Sequence, residues 1–543
     1  MKPQLIIYLC FNKLYAMKNF MFLVFFAVQS SLFCQTFDWA NTVNPNYSYT
    51  ERSTSVHKDM DGNVYLTGYT NGAPESAKLL IAKYTQNGEL LWSKESSCTG
   101  KSIANCIKSD QNNDIFVTGT FNGNLTIDAF TLISHGGSGE VFILKLNSSG
   151  IVQWVKSFGN TGYNYGKTIA VDSLSNIYVS GIFEMSVLVG TKLLHSYGQS
   201  DVFLAKYTPD GQFVWAKQFG GEKYDIVKSI KVIHNNIYMT GDFYRTALFD
   251  TITLTNIDGK DMFVAKLDLD GQVKWAKNSS GADDFLDYAG GEDVSVDSKE
   301  NVYIVGVFAG NVSFGSCTLS TLWAGENFVI KYDSSGSCTM AQKLHGTTNN
   351  GIETDKFDNT FITGTIYLSC TFDTITLQSY GYFDAFVVKY NSNFHAVWAV
   401  NCGGTSGDYA NDIELDNDNN VFLAGDYGGI SGHAVFGMHT LNCNNTTNIF
   451  LTKIEDLFTN TENSGTVSLL DYYPNPTKGL VNFNNTGVRD VKIYNSWGVL
   501  IKSIDKQSYF NSVDISDLRN GIYFFVVETA GHRFYTMKII KEQ

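Results

Sequence analysis

The residue types that could do chemistry in this chain are carboxylates, histidines and aromatic side chains. The densest carboxylate group is Asp283, Asp284, Asp287, Glu292 and Asp293. A glycoside hydrolase needs only two carboxylates that lie close in space, so this group is compatible with a polysaccharide-acting enzyme. A solvated acidic loop is the simpler interpretation. The nine histidines show neither H-E-x-x-H nor H-x-x-x-H spacing, and the sequence has no G-x-S-x-G elbow, P-loop or dinucleotide motif. We therefore expect no intrinsic catalysis and no cofactor.

Two turns rich in aspartate and asparagine resemble fragments of calcium loops. They contain Asp59, Asp61 and Asn63, and Asp416, Asp418 and Asn420. Neither supplies the downstream bidentate glutamate of an EF-hand. Both fall between strand-like runs, where Asp, Asn and Gly are wanted for turn geometry alone. Turn formation is the favoured interpretation, and we assign no metal site.

A repeated β unit must position these groups. Strand-like runs end in glycine seven times, at intervals of 51 to 65 residues, which indicates one unit copied seven times. High Tyr and Phe content, 49 Gly, only 6 Pro and no long helical periodicity favour an all-β chain. The marking glycines are Gly68, Gly119, Gly181, Gly241, Gly306, Gly364 and Gly425.

One repeat, residues 224–277, illustrates the unit. Its alternating runs YDIVKSIKV, NNIYMTGDF, DMFVAKLD and DGQVKWAK are separated by turn residues, which predicts four antiparallel strands, named a, b, c and d here. Strand c carries a lysine in register in every copy: Lys83, Lys145, Lys206, Lys266, Lys331, Lys389 and Lys453. Strand d carries a large packing residue in six copies: Trp92, Trp154, Trp215, Trp275, Met340 and Trp398.

The ends of the array predict how it closes. The seventh copy lacks strand d after Lys453, whereas an orphan d-like segment, TFDWANTV with Trp39, precedes the first copy. A ring needs this arrangement, because the N-terminal strand can complete the last sheet. We predict a seven-bladed β-propeller closed by an N-terminal strand, rather than an open solenoid with capping repeats.

The pattern D-x-x-G-N-x-Y-x-x-G, then D-x-F-x-x-K-Y, then G-x-x-x-W resembles the bacterial β-propeller repeat family known as SBBP repeats. The resemblance covers residues 36–456 and implies a propeller fold without shared catalytic residues. The chain departs from the pattern at Met340 and in a short first repeat.

The loops after strand b predict where a ligand would bind. Repeats two to seven carry about ten extra residues between b and c, interpreted as an added hairpin, and the d-to-a connections should emerge on the same face. Loops on a rigid scaffold are where binding residues concentrate. The candidate binding residues are Tyr163, Tyr165, Trp323, Tyr380 and Tyr382, which could stack on sugars or contact a protein; packing within their own hairpins is the alternative.

The N-terminal 34 residues are predicted to be a signal peptide, with Met17 as the alternative start. Lys18 precedes an apolar run from Phe20 to Val28 that is too short to span a membrane, so no transmembrane segment is expected after cleavage. The net charge of −14 argues against a nucleic-acid partner. The scattered cysteines favour buried thiols over a disulfide framework, with a Cys98–Cys106 bridge left open.

After Phe458 the pattern changes to a polar linker, 457–467, and then to short alternating strands that suit a small Ig-like β-sandwich, 468–543. This segment resembles the type A C-terminal sorting domain of the Bacteroidetes type IX secretion system. The resemblance implies the secretion machinery as a partner and a secreted or outer-surface location. The motif residues are Tyr473, Pro474, Asn475, Pro476, Gly479, Tyr494, Gly498, Gly521 and Tyr523.

Together these features predict a secreted or surface-displayed propeller that acts as a binding or adhesion module for an unknown protein or glycan. A polysaccharide-acting enzyme with its site at the channel mouth, and a purely structural envelope component, are the alternatives.

Overall fold

The computed structural model describes residues 35–542 except 44–49, 71–76, 282–286, 323–324, 430–431, 444–446, 457–471, 484–486, 496–499 and 530–533. Every regular element in these described ranges is a strand, which confirms the all-β prediction. Residues Phe37–Glu455 form one compact unit, and the described residues from Asp456 onward belong to another. The predicted signal peptide and most of the predicted linker lie outside the described residues.

The strands of the first unit follow in chain order. They are β1 (Thr36–Val43), β2 (Arg52–Lys58), β3 (Val64–Thr70), β4 (Lys78–Tyr84), β5 (Leu90–Glu95), β6 (Ser97–Cys98), β7 (Ser102–Ser109), β8 (Ile115–Phe121), β9 (Asn124–Ile127), β10 (Phe130–Ile133), β11 (Glu140–Leu146), β12 (Val152–Phe158), β13 (Asn164–Val171), β14 (Ile177–Val189), β15 (Lys192–Tyr207), β16 (Phe213–Phe219), β17 (Asp225–Ile233), β18 (Asn236–Phe249), β19 (Ile252–Asp268), β20 (Val273–Asn278), β21 (Ser280–Gly281), β22 (Tyr288–Val296), β23 (Val302–Ala309), β24 (Asn311–Phe314), β25 (Cys317–Ser320), β26 (Glu326–Tyr332), β27 (Cys338–Leu344), β28 (Thr347–Thr354), β29 (Thr360–Phe372), β30 (Ile375–Tyr390), β31 (Ala396–Gly404), β32 (Tyr409–Leu415), β33 (Val421–Gly428), β34 (His433–Phe436), β35 (His439–Asn442) and β36 (Thr447–Glu455).

These strands build a four-stranded antiparallel a-b-c-d ladder in each repeat. The orders are β2-β3-β4-β5, β7-β8-β11-β12, β13-β14-β15-β16, β17-β18-β19-β20, β22-β23-β26-β27, β28-β29-β30-β31 and β32-β33-β36-β1. In the last of these the N-terminal strand β1 occupies the position of strand d. The repeated lysine of strand c pairs with the repeated large residue of strand d, as Lys83 does with Trp92 and Lys331 with Met340.

A β-bulge in strand a explains the marking glycines. In every repeat the a–b register slips by one residue directly after the pair that contains the glycine, as between Ala104, which faces Gly119, and Cys106. The bulge brings the two backbones so close that a Cβ on Gly119 would lie 2.0 Å from the carbonyl oxygen of Ile103. Only glycine fits such an approach without displacement.

The bulged residues bridge neighbouring repeats. Their polar side chains donate to main-chain carbonyls of the next strand a: Thr54 to Ala104 at 2.6 Å, Asn105 to Gly166 at 2.7 Å, Asn350 to Ala410 at 2.6 Å and Asn411 to Ser53 at 3.1 Å. The bulged residue, which has no partner on strand b, therefore links two neighbouring repeats through a hydrogen bond.

The added hairpins pair with the connections between repeats. The hairpin β9–β10 bonds to β6, β24–β25 bonds to β21, and β34–β35 bonds to the end of β31. In repeats three, four and six the hairpin continues strands b and c, as in β14–β15. The hairpins and the d-to-a connections therefore lie on one face of the array, which we call the loop face.

The core lies between adjacent sheets rather than at one centre. Trp92 donates through Nε1 to the carbonyl of Ser148 in the next repeat at 3.3 Å, and Gly150 packs against its ring. Trp39 of β1 makes the matching contacts with Gln86, at 3.0 Å, and Gly88 of repeat one. A large aromatic residue on strand d thus fills the gap to the following sheet, as the sequence indicates.

The disulfide in the structure is not the Cys98–Cys106 bridge. Cys98 and Cys106 are free thiols, whereas Cys317 and Cys338 form a disulfide with a Cα–Cα distance of 6.0 Å. Cys98 donates to the carbonyl of Asn122 instead. The observed bridge joins the added hairpin of repeat five to strand d of the same repeat, two segments 21 residues apart that only the fold brings together.

The second unit has two sheets around one core. Its strands are β37 (Tyr472–Tyr473), β38 (Leu480–Phe483), β39 (Val488–Asn495), β40 (Leu500–Phe510), β41 (Ser512–Asp514), β42 (Gly521–Thr529) and β43 (Phe534–Lys541). The sheets have the orders β37-β38-β41 and β40-β39-β42-β43. Val481 and Val513 from the first pack with Val491, Phe525 and Ile539 from the second, which makes a β-sandwich. Among the described residues, no helix is long and apolar enough to cross a membrane.

Candidate binding face and channel

Two of the predicted binding residues serve packing. Tyr163 and Tyr165 stack on each other with ring centroids 6.0 Å apart, and both are half-buried. The hydroxyl of Tyr165 donates to Oδ1 of Asn105, the bulged residue of repeat two, at 2.9 Å. Burial raises the pKa of both hydroxyls. This pair therefore belongs to the junction between repeats two and three.

Two further predicted binding residues, Tyr380 and Tyr382, are exposed to solvent. They are 62% and 69% exposed on the loop face, in the stretch of β30 between Gln378 and Phe383 that does not pair with β29. Trp323 lies outside the described residues. Its neighbour Leu322 is fully exposed.

Tyr382 is part of a larger aromatic cluster that the sequence analysis missed. Phe383 lies at its centre, 5.4 Å from Tyr367, 6.5 Å from Tyr382 and 5.8 Å from Tyr409 between ring centroids. Tyr367 and Tyr409 are 48% and 40% exposed. We call Tyr367, Tyr382, Phe383 and Tyr409 the aromatic patch. Strands b and c of repeat six and strand a of repeat seven supply it, so it spans two repeats.

A cavity of about 290 Å³ adjoins the aromatic patch. Tyr367 and Phe383 form one wall, and polar residues of repeats five and six form the other: Glu326, Asn327, Thr347, Thr348 and Thr365. A second cavity of about 390 Å³ shares Glu326 with the first and is lined also by Asn311, Lys343 and His345. His345 Nδ1 is 2.9 Å from Glu326 Oε2. Together the cavities offer hydroxyl, amide and carboxylate groups beside exposed rings.

The strands a carry a second concentration of functional groups. Glu414 contacts His57 at 3.2 Å and Lys108 at 3.3 Å, and His57 Nε2 is 3.0 Å from Ser109 Oγ. Lys231 pairs with Glu353, and Lys228 pairs with Glu292 at 3.0 Å. Lys108 belongs to repeat two and Glu414 to repeat seven, so these side chains converge from several repeats. We call them the channel charges, because a closed ring of the seven sheets would place them around its central channel.

The channel charges perturb one another. Burial opposes ionisation of Glu414, but Lys108 and His57 outweigh it and lower its pKa. Burial raises the pKa of Glu353 to about 7, although Lys231 opposes the rise. Burial likewise lowers the pKa of His57, against the pull of Glu414. The two carboxylates thus have pKa values displaced in opposite directions, the pattern of an acid and a base.

The acidic residues between Asp283 and Asp293 do not form one solvated loop. Asp283 and Asp284 lie outside the described residues. Glu292 and Asp293 are part of strand β22, not of a solvated loop, because Glu292 pairs with Lys228 and Asp293 Oδ2 accepts from the main-chain nitrogen of Ile352 at 2.9 Å. A bulge at this position, invisible to a period-two pattern, turns both side chains toward neighbouring repeats.

The turns that resemble calcium loops use their carboxylates locally. Oδ1 of Asp59 accepts from the main-chain nitrogens of Asp61 and Asn63 at 3.0 and 2.8 Å. Asp416 accepts from Asp418 and Asn420 in the same way at 2.9 and 2.8 Å. These bonds are those of an Asx turn.

The second unit shows where several sorting-motif residues lie. Tyr494 and Tyr523 are buried, and the hydroxyl of Tyr523 donates to the carbonyl of Arg519 at 2.8 Å. Asn475 Oδ1 accepts from the main-chain nitrogen of Ile540 at 2.7 Å, which ties the Tyr473–Pro476 segment to the last strand. Gly498 lies outside the described residues.

Family models match both units. Residues 471–542 match the secretion system C-terminal sorting domain, and residues 153–181 match the β-propeller repeat. The chain carries SBBP-type propeller repeats and a type IX sorting domain. Its destination is therefore the cell surface or the exterior, and its sorting domain interacts with the type IX secretion machinery.

Other proteins resemble the chain more distantly. An uncharacterised WD repeat-containing protein of Acanthamoeba polyphaga mimivirus is 24% identical over 432 residues, 64% of this chain and 31% of that protein, so the chain spans about a third of its length. A Dyadobacter fermentans protein of unknown function is 11% identical with a TM-score of 0.38, covering 78% of this chain and all of that one. The Dos1 propeller is 8% identical with a TM-score of 0.36, covering 79% and 96%. The endosialidase of phage phi92 is 8% identical with a TM-score of 0.36, covering 93% and 88%.

Proposed function

We propose that the seven sheets close into a seven-bladed propeller that works outside the cell as a glycan-binding module. Contacts between repeats seven and one support closure. Asp412 Oδ2 accepts from the main-chain nitrogen of Val56 at 2.8 Å, and Asp293 makes the equivalent contact with Ile352 between repeats five and six. Trp39, Val56 and Phe422 also share one buried cluster across this junction.

The aromatic patch beside the polar cavity carries the binding proposal. Exposed tyrosines offer a flat apolar surface with a polar edge, and holding them costs little conformational entropy. Sugar rings present apolar C–H faces together with hydroxyls, so they match rings on one side and Thr, Asn and Glu on the other. A volume of about 290 Å³ falls at the lower end of small-molecule sites, which suits one or two sugar units better than a protein surface.

A glycan array and a hydrolysis assay on the secreted protein test this function. We expect a set of glycans to bind without turnover, and the double variant Tyr367→Ala/Tyr382→Ala to weaken binding about tenfold or more, since each lost stacking contact costs about 1 kcal/mol. The matched control is Tyr197→Ala/Tyr224→Ala, which removes two tyrosines of similar exposure, 58% and 46%, elsewhere. No bound glycan, or equal loss in both variants, would contradict the proposal.

A second candidate is a polysaccharide-acting enzyme that uses the channel charges. The opposed pKa shifts of Glu353 and Glu414 favour it, because glycoside hydrolysis needs one protonated and one ionised carboxyl group. Both side chains keep partial solvent contact, 17% and 16%. Turnover that disappears in Glu353→Gln while glycan binding at the aromatic patch persists would establish this alternative over binding alone.

A further inference from the structure

Two junctions of the loop face contain the same buried pair of aspartates. In each, an aspartate lies in strand c of one repeat, and a glycine follows 19 residues later. A second aspartate, five residues after the glycine, lies at or directly before the start of the next strand a. The two sets are Asp201, Gly220 and Asp225, and Asp384, Gly403 and Asp408. The two sets occupy the same positions of the repeat.

The carboxylates of each pair converge on the glycine. A Cβ placed on Gly220 would lie 3.0 Å from Asp201 Oδ1 and 2.8 Å from Asp225 Oδ2. A Cβ on Gly403 would lie 2.7 Å from Asp384 Oδ1 and 2.9 Å from Asp408 Oδ2. The same atoms face the same point in both junctions, and a side chain at the glycine would occupy that space.

The four carboxylates are buried, and of the oxygens that face the glycines, Oδ1 of Asp201 and Oδ1 of Asp384 have no hydrogen-bond partner. The four aspartates are at most 2% exposed. The Oδ2 atoms accept main-chain N–H bonds, from Tyr197 at 2.9 Å and Gly221 at 2.8 Å in the first junction. Oδ1 of Asp201, Asp225 and Asp384 has no hydrogen-bond partner. A buried carboxylate oxygen without a partner costs free energy, and two adjacent carboxylates repel each other.

A third junction shows that the fold does not require two acids. Glu140, Gly159 and Asn164 have the same spacing, but an amide replaces the second carboxylate. Asn164 Nδ2 donates to the carbonyl of Gly139 at 3.2 Å and to Asn160 Oδ1 at 3.0 Å, so it takes part in local bonds that a carboxylate cannot make. The second aspartate of the other two junctions accepts a main-chain N–H from the residue after the glycine, Gly221 or Gly404, but the fold does not require its negative charge.

We propose that each aspartate pair binds one divalent cation of the calcium type. Two carboxylates neutralise the charge of such an ion, and hard oxygen ligands are those it prefers. Within the described ranges no three His, Cys, Asp or Glu side chains converge as a metal cluster, so main-chain carbonyls and water would have to supply the remaining ligands. The cation would brace the loop face, because Tyr380, beside the aromatic patch, donates its main-chain N–H to Asp384.

Calcium titration of the full secreted chain, freed of metal by a chelator, tests the proposal. We expect two Ca²⁺ per chain by calorimetry with Kd of about 10⁻⁴ to 10⁻³ M, and a rise in Tm of about 2–4 °C at 10 mM Ca²⁺. Tb³⁺ should show luminescence sensitised by the nearby tyrosines and displaced by Ca²⁺. The variant Asp201→Asn/Asp384→Asn should lose both responses, whereas Glu140→Gln, at the junction with Asn164, should keep them.

The wild-type titration is decisive even if a variant fails to fold. No heat, no displaceable Tb³⁺ signal and no change in Tm at 10 mM Ca²⁺ would overturn the proposal, and would leave a shared proton as the ligand of each pair. Calcium binding that survives unchanged in a folded Asp201→Asn/Asp384→Asn variant would overturn it as well. Glycan binding is measured separately, so either proposal fails without the other.

Discussion

The polar side chains of the channel charges are paired with one another, whereas several polar side chains of the loop face are exposed or lack a partner. Both regions lie along or beside the strands a. Glu414, Glu353 and Glu292 each contact a lysine. On the loop face, Tyr382 projects into solvent and Asp201 Oδ1 lacks a hydrogen-bond partner. The channel charges stabilise one another across repeats, whereas the loop face leaves groups available. Under the proposed function, the channel charges mainly serve stability and the loop face mainly serves binding.

Among the variants that test this comparison, removal of a channel carboxylate should have the largest effect on stability. Glu414→Gln leaves Lys108 without its counter-charge and His57 without its carboxylate partner in a largely buried site, and we expect a loss of about 3 kcal/mol in the free energy of unfolding. Tyr382→Ala on the loop face should change it by less than about 0.5 kcal/mol. Chemical denaturation of both variants measures the difference. Equal stability of the two variants would mean that the channel charges do not hold the repeats together.

A pair of glycine substitutions gives the next largest effect. Gly119→Ala places a methyl group 2.0 Å from the carbonyl oxygen of Ile103 at the bulge, and we expect a loss of about 2–3 kcal/mol. Gly136→Ala lies in open space on the loop face at φ +89°, so only backbone strain of about 1 kcal/mol applies. The denaturation midpoints of the two variants measure the contrast. A smaller loss for Gly119→Ala would show that the bulge can relax.

The sequence predicts the repeat and its registers because these depend on local alternation. The lysines of strand c and the tryptophans of strand d face each other as their spacing indicates. The bulge in strand a could not be predicted, since it shows only as a register slip against strand b. The repeated glycines were its only sign in the sequence. They were interpreted as the ends of strands, whereas in the structure they are the points where strands a and b approach closely.

The candidate sites were predicted only in part for a related reason. Tyr380 and Tyr382 stand out in a loop, but Phe383 gains meaning only beside Tyr367 and Tyr409, which are distant in the chain. The salt bridge between Lys108 and Glu414 spans 306 residues. The aspartate pairs did leave a signal, a D-x18-G-x4-D spacing that occurs twice, which a comparison of the repeats position by position would reveal.

The smallest predicted effect is a pH dependence that separates the aspartate pairs from ordinary buried acids. Burial and the neighbouring Asp201 raise the pKa of Asp225 to about 8, and burial and Asp384 raise that of Asp408 to about 7. A raised folded-state pKa means that the folded protein holds these protons more tightly than the unfolded chain. Their contribution to stability is therefore complete below the unfolded pKa and is lost as pH rises through about 7 to 8.

In chelator, we expect Tm to fall by about 2–4 °C between pH 6 and pH 8.5, and Ca²⁺ to remove most of this fall. Asp225→Asn imitates the protonated side chain, so in chelator it should raise Tm more at pH 8.5 than at pH 5.5, and it should weaken the response to Ca²⁺. The matched control is Asp261→Asn, since burial raises the pKa of Asp261 to about 7 against a hydrogen bond from Ser279, with no neighbouring acid among the causes. If both variants respond alike, burial alone explains the pH dependence; if only Asp225→Asn responds, the paired carboxylates of the loop face are the groups that exchange a proton for a cation.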